Sequence, residues 1–369
     1  MLETRADSAT VLAHPRPQHP LRQHSRWTAL ALASVAALLV GCAQMPAAPS
    51  ADTSETTSTP TPEPYISDYV EPDATLVSPL TGMIVPATEV TGPSLAAKID
   101  NHNDARPQFG LETTDVVFEE LVEGGITRYV AIWYSNVPAQ VGPVRSIRPM
   151  DPDIISPFGG IVTYSGGRTP FINLMRKAPV YNAIHGYGHA DTIHRISSRY
   201  APHNVVVEAQ TLLKQQAAIA SPQQMFAFSD GVASSTAVEQ GSDIARIDVR
   251  FSPIRYPTWL WDAASGRYLR LQEGSKDMSA SGVQLSATNV LVMKVGIKYD
   301  MARDVPRTVM VGSGDAWVST GGKTLKIRWT KPSRDAPIQF TDADGVTIRL
   351  APGNTWIELM PDHGAITLK

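Results

Sequence analysis

Residues 115–134 have the sequence DVVFEELVEGGITRYVAIWY, and this stretch predicts the centre of the fold. Two runs rich in β-branched and aromatic residues flank Gly124-Gly125, a pattern typical of a β-hairpin with a two-residue turn. The cross-strand pairs that follow are Glu123 with Ile126, Leu121 with Arg128, and Glu119 with Val130.

In this register Arg128 lies diagonal to both Glu119 and Glu123, about 7–8 Å away between backbones, a gap that long side chains can close. The other face carries mostly large apolar residues and is typical of a core. The Glu–Arg–Glu face is therefore either a structural ion network or a functional site, and we favour the network.

The remainder of the chain predicts an α+β fold. Residues 80–238 alternate strand-like and helix-like segments, and the best helix candidates are Val207 to Ala220 and the stretch after Thr169. Residues 239–369 contain short β runs separated by turns such as Gly321-Gly322. We expect a mixed α/β N-terminal domain, residues 80–238, and an antiparallel β-rich C-terminal domain, residues 239–369.

The first residues predict export from the cytoplasm. Arg22 and Arg26 precede the apolar run WTALALASVAALLV, which is too short to span a bilayer and is typical of a secretory signal. The run ends Leu39-Val40-Gly41-Cys42, which resembles a bacterial lipobox, and Cys42 is the only cysteine of the chain. The sequence therefore predicts a signal peptide over residues 1–41 and a diacylglyceryl group on Cys42 that holds the protein on the extracytoplasmic face of the membrane.

Residues 42–79 predict a disordered tether. They are rich in Pro, Ser and Thr, contain six acidic residues, and have few large apolar side chains. Such a segment buries too little apolar surface to order itself, so we expect it to hold the folded body away from the membrane.

Charge and cysteine content exclude several classes of protein. The chain has 32 basic and 35 acidic residues and a net charge of -3, which is too weak a field to predict nucleic-acid binding. A single cysteine excludes an intramolecular disulfide and any multi-cysteine metal site. The part after the tether is close to neutral, so a ligand has to be recognised by a local site.

Two polar segments that flank the hairpin are the best local sites. Arg145 and Arg148 lie in the Gly/Pro-framed segment GPVRSIRP, where they are either a fork for a carboxylate or phosphate or a pair of surface arginines. The polar segment KIDNHNDARPQ precedes the hairpin. The candidate ligand-binding residues are Asn101, Arg106, Arg128, Arg145, Arg148 and Asn204.

Acid–base chemistry stays open as an alternative. His203 follows Pro202 in a loop, where it suits a shaped pocket and a role as acid, base or donor near neutral pH. The sequence contains no nucleotide-binding glycine loop and no serine-nucleophile motif, so we favour a protein that is not an enzyme. The candidate catalytic residues are Asp100, His102, Glu119, Glu123 and His203.

A second group of histidines falls in the segment HGYGHADTIH. Imidazoles and a carboxylate at this spacing can hold a divalent ion, but Gly186 and Gly188 argue against the helix that would fix them. We therefore expect neither a metal site nor any other cofactor. The weak metal candidates are His185, His189, Asp191 and His194.

Several motifs occur in the order found in one bacterial family. They are SPLTG (78–82), KIDNHNDARPQFGL (98–111), DVVFEELVEGGITRY (115–129), GPVRSIRP (142–149) and RYAPHN (199–204), with looser matches at Tyr268-Leu269-Arg270, Gly312-Ser313-Gly314 and Gly353 to Glu358. The chain resembles the YerB-like bacterial lipoproteins over these motifs. The resemblance implies a two-part extracytoplasmic lipoprotein, but it supplies no catalytic residues, and the segment around His185, His189 and His194 departs from the family pattern.

These observations leave three functional hypotheses. We favour a membrane-anchored binding or scaffold protein that engages a cell-wall polymer or an envelope protein. The first alternative is a hydrolase or transferase that acts on cell-wall material through a carboxylate/His site. The second alternative is a metal- or solute-binding lipoprotein.

Overall fold

The structure is a computed structural model that describes residues 72–369. The predicted signal peptide, Cys42 and the tether up to residue 71 lie outside the described residues. Within residues 72–369 we find no helix with the length and hydrophobicity of a membrane span.

The described part is dominated by short strands. They are β1 (Thr75–Val77), β2 (Ile84–Pro86), β3 (Leu95–Asp100), β4 (Val116–Leu121), β5 (Thr127–Trp133), β6 (Gln140–Val141), β7 (Ile161–Tyr164), β8 (Tyr181–Ile184), β9 (Ile193–Arg195), β10 (Val205–Glu208), β11 (Ala227–Phe228), β12 (Ser242–Asp243), β13 (Arg246–Arg250), β14 (Thr258–Asp262), β15 (Arg267–Gln272), β16 (Ser275–Lys276), β17 (Ser286–Ala287), β18 (Asn289–Val295), β19 (Ile297–Lys298), β20 (Arg307–Thr308), β21 (Gly312–Thr320), β22 (Lys323–Lys331), β23 (Gln339–Thr341), β24 (Arg349–Leu350), β25 (Thr355–Pro361) and β26 (Ala365–Leu368). The α-helices are α1 (Asp151–Ile155), α2 (Thr169–Met175), α3 (Ala209–Gln215) and α4 (Thr236–Gln240).

An eleven-stranded mixed sheet forms the centre of the structure. Its order is β12-β22-β21-β18-β25-β4-β5-β3-β7-β8, with β23 beside β22. Strand β25, from the last residues of the chain, pairs in parallel with β4, from the predicted hairpin. Seven of the strands point in one direction, namely β22, β18, β25, β4, β3, β7 and β8.

Both faces of the central sheet are covered. On one face Val116, Phe118 and Val130 pack with the apolar side chains of α1 and α2. On the other face Val117 and Tyr129 pack with a second, six-stranded sheet of order β16-β15-β14-β13-β26, with β17 beside β15. Strands β4 and β5 are consequently buried along their whole length.

The hairpin of β4 and β5 forms as predicted, but the predicted register is wrong. Glu119 lies opposite Tyr129, and Glu120 lies opposite Arg128. The connection has five residues, 122–126, instead of two, and it is closed by a hydrogen bond of 2.8 Å from Val122 N to Ile126 O. This shift by one residue moves Arg128 to the face of Glu120, so Arg128 does not bridge Glu119 and Glu123.

The predicted fold class is confirmed in its coarse form, as a β-rich chain with mixed sheets and a few short helices. The helix expected over Val207 to Ala220 is shorter, since residues 205–208 belong to β10. The two predicted domains share the central sheet through β4 and β25. Within the stretch predicted as tether, Thr75–Val77 pairs with Ile84–Pro86.

A cluster of charged groups is buried where the two sheets meet. Arg270 of β15 is fully buried, forms ion pairs with Glu119 and Asp277, and lies over the rings of Trp259 and Trp356. The pairing of β25 with β4 sets Glu358 beside Glu119.

Burial favours the protonated form of one carboxyl group of this cluster. Burial, and then the neighbouring Glu119 carboxylate, raise the pKa of Glu358 well above its usual range. The indole Nε1 of Trp259 donates to Glu358 Oε1 at 2.8 Å. The protonated form adds no second negative charge beside Glu119.

We predict that Glu358→Gln changes the free energy of unfolding by less than about 1 kcal/mol, because an amide replaces a protonated carboxyl group of the same shape. Arg270→Met should destabilise by about 3–5 kcal/mol, since it leaves buried carboxylates without a cation. Chemical denaturation at pH 7 measures both variants. Equal losses for the two variants would contradict the assignment of the proton to Glu358.

Candidate functional site

The last residue of β3, Asp100, is the centre of the candidate site. Its side chain is only 1% exposed. Asp100 Oδ2 lies 2.6 Å from His203 Nδ1 and 3.2 Å from Arg145 Nε, and Asp100 Oδ1 accepts from the backbone N–H of His102 at 3.1 Å. Asp100 thus connects the segment before the hairpin with GPVRSIRP and with RYAPHN.

The RYAPHN loop holds His203 in place. Asn204 accepts from Arg195 at 2.6 Å and donates to the carbonyl oxygens of Ile196 and Arg199, at 3.0 and 3.1 Å. Arg199 donates to the carbonyl oxygens of residues 105 and 107, so it fastens this loop to the segment after β3. The Asn204 side chain therefore shapes the loop and does not face an open surface.

His102 and Asp104 complete the histidine side of the site. The rings of His102 and His203 are stacked, with centroids 4.4 Å apart and an interplanar angle of 17°. His102 Nδ1 accepts from the Asp104 backbone N–H at 3.2 Å and lies 3.5 Å from Asp104 Oδ2. Both side chains are accessible, at 39% and 73% exposure, whereas His203 is mostly buried.

Asn101 connects the site with the buried ion cluster. Its amide donates to Thr127 Oγ1 at 2.8 Å, and Thr127 donates to Glu119 Oε1 at 2.6 Å. Arg106 Nε donates to Asn101 Oδ1 at 2.9 Å, and Arg106 Nη1 lies 3.0 Å from Glu273 Oε2. Asn101 and Arg106 thus order the loop, and Glu119 is fully buried away from solvent.

An open cleft of about 450 Å³ borders His102. Arg255 and Glu273 line its far wall, and Arg255 also donates to Asn101 O at 3.2 Å. The exposed side chains of Ile254 and Tyr256 lie at its mouth. A ligand in this cleft would touch residues from both halves of the chain.

On the other side of Asp100 lies a cluster of three arginines, Arg128, Arg145 and Arg148, which we call the arginine cluster. Arg128 Nη1 and Arg148 Nη1 both donate to Ser146 O, at 2.8 and 3.1 Å. Arg148 Nε also lies 2.7 Å from Glu123 Oε2, so two of the three arginines have carboxylate partners.

Arg128 is the exception within the arginine cluster. It is 4% exposed, and the part of the chain that the structure describes gives it no carboxylate partner and leaves its Nε without a hydrogen bond. Burial, and then repulsion by Arg148 and Arg145, lower the pKa of Arg128 to about 10. Asp100 and Glu123 act in the opposite direction, so the fold compensates this charge only in part and without a direct ion pair in residues 72–369.

The neighbouring buried cation, Lys98, differs from Arg128 because it has direct carboxylate partners. Lys98 on β3 is fully buried and forms ion pairs with Glu120 and with Asp151, the latter at 2.7 Å. Burial lowers the pKa of Lys98 to about 8 despite these partners. Two carboxylates pair directly with Lys98. Arg128, opposite Glu120 across the hairpin, donates to Ser146 O and is attracted by Asp100 and Glu123 without an ion pair in residues 72–369.

The structure brings together only part of the predicted catalytic set. Asp100, His102 and His203 meet at the end of β3, but Glu119 is enclosed in the core and paired with Arg270. Glu123 lies on the arginine side and pairs with Arg148. The prediction that Arg128 caps both glutamates is wrong, because the hairpin register differs by one residue.

The weak metal candidates are spread along the HGYGHADTIH segment. His189 packs edge-on against Tyr181, Asp191 accepts from Gln215 at 2.6 Å, and His194 lies 3.7 Å from Glu208. Within residues 72–369, the group whose side chains approach the geometry of a metal site consists of His102, Asp104 and His203. His185 is half-exposed, and burial lowers its pKa.

The sequence analysis did not identify several charged residues that pair with one another or with the candidate residues in and around the site. Those of the second half are Arg255, Arg270, Glu273, Asp277 and Glu358, and those of the first half are Lys98, Glu120 and Asp151. A signal for four of them was present, because Lys98 and Glu120 fall within family motifs of the first half, and Arg270 and Glu358 within the looser motifs of the second half.

Comparison with known proteins places the chain in a family. Residues 80–221 match the N-terminal domain, and residues 247–357 the C-terminal domain, of a family described as "Protein of unknown function (DUF3048)". The chain is 26% identical over 357 residues to "Putative lipoprotein YerB" of Bacillus subtilis, covering 93% of this chain and 98% of that protein. The chain therefore belongs to the YerB-like family of unknown function.

A solved structure has the same fold. The crystal structure of the YerB protein from Bacillus subtilis superposes with a TM-score of 0.68 at 22% identity, and the match covers 79% of this chain and 99% of that one. At this identity the likeness establishes the fold and leaves the chemistry to the residues of this chain.

Proposed function

We propose that the protein is a lipid-anchored binding protein of the cell envelope, held on the extracytoplasmic face of the membrane, and that its arginine cluster binds an anionic group of an envelope polymer or protein. The observation that carries the binding function is the buried charge of Arg128, which has no direct carboxylate partner within residues 72–369 and whose Nε lacks a hydrogen bond there. The anionic group is a carboxylate or a phosphate, the two groups that guanidinium forks match.

Two observations support the anchor. The lipobox-like segment ends in the only cysteine, and the Bacillus subtilis relative is named "Putative lipoprotein YerB". An acylated cysteine with two or more chains is a durable anchor, since each buried CH₂ contributes about 0.8 kcal/mol.

We expect the chain, expressed in a bacterial host, to incorporate labelled palmitate and to sediment with membranes. Cys42→Ser should abolish the label and release the protein, because it removes the thiol that carries the lipid. Protease added to intact spheroplasts should degrade the wild-type protein if it faces outward. Labelling of the Cys42→Ser variant, or full protection from protease, would contradict this part of the proposal.

The electrostatics of the arginine cluster support an anion as the ligand. A buried charge costs several kcal/mol unless it is paired, and the repulsion of Arg128 by Arg145 and Arg148 adds to that cost. A bound carboxylate or phosphate would supply the missing negative charge and hydrogen bonds to the free Nε of Arg128. The partly exposed side chain of Arg145 gives the anion a path from solvent.

We predict that inorganic phosphate raises the melting temperature of the wild-type protein by more than sodium chloride does at matched ionic strength. Arg128→Met should weaken phosphate binding by about 10-fold or more, because it removes a charge-assisted hydrogen-bond donor. The same variant without phosphate should be as stable as the wild type or more stable, because a buried unpaired charge is removed. Calorimetric titration and thermal unfolding measure the two effects.

Arg250→Met is the matched control, since Arg250 is an exposed arginine on β13, far along the chain from the arginine cluster. It should bind phosphate like the wild type. A large destabilisation of Arg128→Met with unchanged phosphate binding would show that Arg128 has a structural role. This result would contradict the proposal that the arginine cluster binds an anion.

The short contact between Asp100 and His203 favours a second candidate function. A buried carboxylate that holds the Nδ1–H of a histidine leaves Nε2 to accept a proton, as in acid–base catalysis. The adjoining cleft has room for a sugar or peptide segment of cell-wall material. This function is hydrolysis or group transfer on that material.

The second candidate predicts that the protein releases reducing ends or amino groups from purified peptidoglycan. His203→Gln should lower the release by about 10²–10⁴-fold, the contribution of a positioned acid or base. His185→Gln, which alters a histidine outside the site, is the control. Absence of release by the wild-type protein would leave binding as the function.

A further inference from the structure

We propose that His203, His102 and Asp104 bind one divalent transition-metal ion, and that zinc is the ion that this donor set suits. The three side chains offer one ligand atom each, and these atoms lie within 4.8 Å of one another. The site differs from the histidine segment that the sequence suggested, and it is separate from the arginine cluster.

The fixed ligand is His203. Asp100 Oδ2 accepts from His203 Nδ1 at 2.6 Å, which sets the tautomer of the ring and leaves a lone pair on Nε2. Metal-binding histidines almost always donate their other N–H to a carboxylate, a carbonyl or water, and this contact orients the ring and raises its basicity. Asp100 is itself held by Arg145 and by the His102 backbone, so the orienting group does not move freely.

The adjustable ligands are His102 and Asp104. His102 is the N-cap of the one-turn 3₁₀ helix Asn103–Ala105, Asp104 lies within that helix, and both side chains are exposed enough to change rotamer. Tetrahedral zinc, with bonds of about 2.0–2.1 Å, needs its ligand atoms roughly 3.3 Å apart. For zinc to bind, the ligand atoms of His102 and Asp104 therefore have to move about an ångström closer to each other and to the His203 ligand atom. The His102 ring has to rotate out of its stack on His203.

The donor set decides which ions suit the site. Two imidazoles and one carboxylate favour zinc and neighbouring transition metals over calcium and magnesium, which prefer oxygen ligands. Three protein ligands leave a fourth position, and the cleft beside His102 opens that position to water or to a ligand.

Nearby positive charges do not exclude a cation. Arg145 is paired with Asp100, and both Arg106 and Arg255 are paired with Glu273, at 3.0 and 3.3 Å. Asp104 has no basic partner other than His102 in the part of the chain that the structure describes, so its carboxylate is available to the ion.

The experiment uses the full chain without a histidine tag, freed of metal by a chelator and titrated with zinc chloride. Calorimetry and elemental analysis after dialysis should show one zinc per chain. His102→Ala and His203→Gln should each abolish the stoichiometric binding. Asp100→Asn should weaken it by about 10–100-fold, the effect expected of a residue that orients a metal ligand.

Matched controls separate this site from the other histidines. The double variant His185→Ala/His189→Ala and the single variant Asp191→Asn should bind zinc like the wild type. Cobalt chloride adds a spectroscopic readout, since a tetrahedral N/O site gives intense visible absorption bands that His102→Ala should remove. If His203→Gln fails to fold, zinc binding by His102→Ala and by Asp104→Asn tests the site instead. Both residues are accessible at the surface, so these variants should fold.

Two results would overturn the proposal. One is a wild-type protein that retains no zinc after dialysis. The other is zinc binding that survives in His102→Ala and Asp104→Asn but is lost in the double histidine control. Neither result bears on the arginine cluster, whose phosphate titration is carried out without metal.

Discussion

The central constraint of this fold is that β4 and β5 are buried on both faces although they carry charged side chains. A charge on such a strand has no contact with solvent and has to find its counter-charge inside the protein. Glu119 forms an ion pair with Arg270 on one face of the sheet, and Glu120 forms an ion pair with Lys98 on the other face. These pairs tie the hairpin to the second half of the chain and to the neighbouring strand β3.

The same constraint sets Arg128 apart from the paired charges of the hairpin. Burial favours the protonated form of Glu358, so that Glu119 has no second negative charge beside it. Arg128 is as buried as its neighbours but forms no ion pair within residues 72–369: Arg148 and Arg145 repel it, while Asp100 and Glu123 attract it without direct contact. Lys331 is the other buried cation of this kind in the described part of the chain, since its Nζ donates there only to the carbonyl oxygens of residues 334 and 336. Buried cations without a direct counter-ion are candidates for binding an anion.

The strands of the hairpin were predictable, but their register was not. Alternation fixes a register only when one face of a strand is polar, and both faces of β4 and β5 are mainly apolar. The Gly-Gly pair also did not predict the length of the connection between the strands, and therefore did not predict their register. Gly321-Gly322 does form a two-residue turn, with Thr320 opposite Lys323, whereas Gly124-Gly125 lies within a five-residue connection. The two pairs differ in their tertiary surroundings, since Glu123 is held by Arg148 and Val122 is buried in the core.

The topology explains why residues distant in sequence meet at one site. Seven strands of the central sheet run in the same direction, so Asp100 at the end of β3 and Glu123 just after β4 lie at the same edge. The loop after β7 joins them there, because Ser165 N donates to Arg145 O at 3.1 Å and Ile147 N donates to Gly166 O at 2.9 Å. Sheets with parallel strands commonly bind ligands outside the carboxyl ends of those strands. No pattern in the sequence predicts this edge, since it requires the pairing of β3 with β5 and with β7, and the second of these pairings brings together segments more than 60 residues apart.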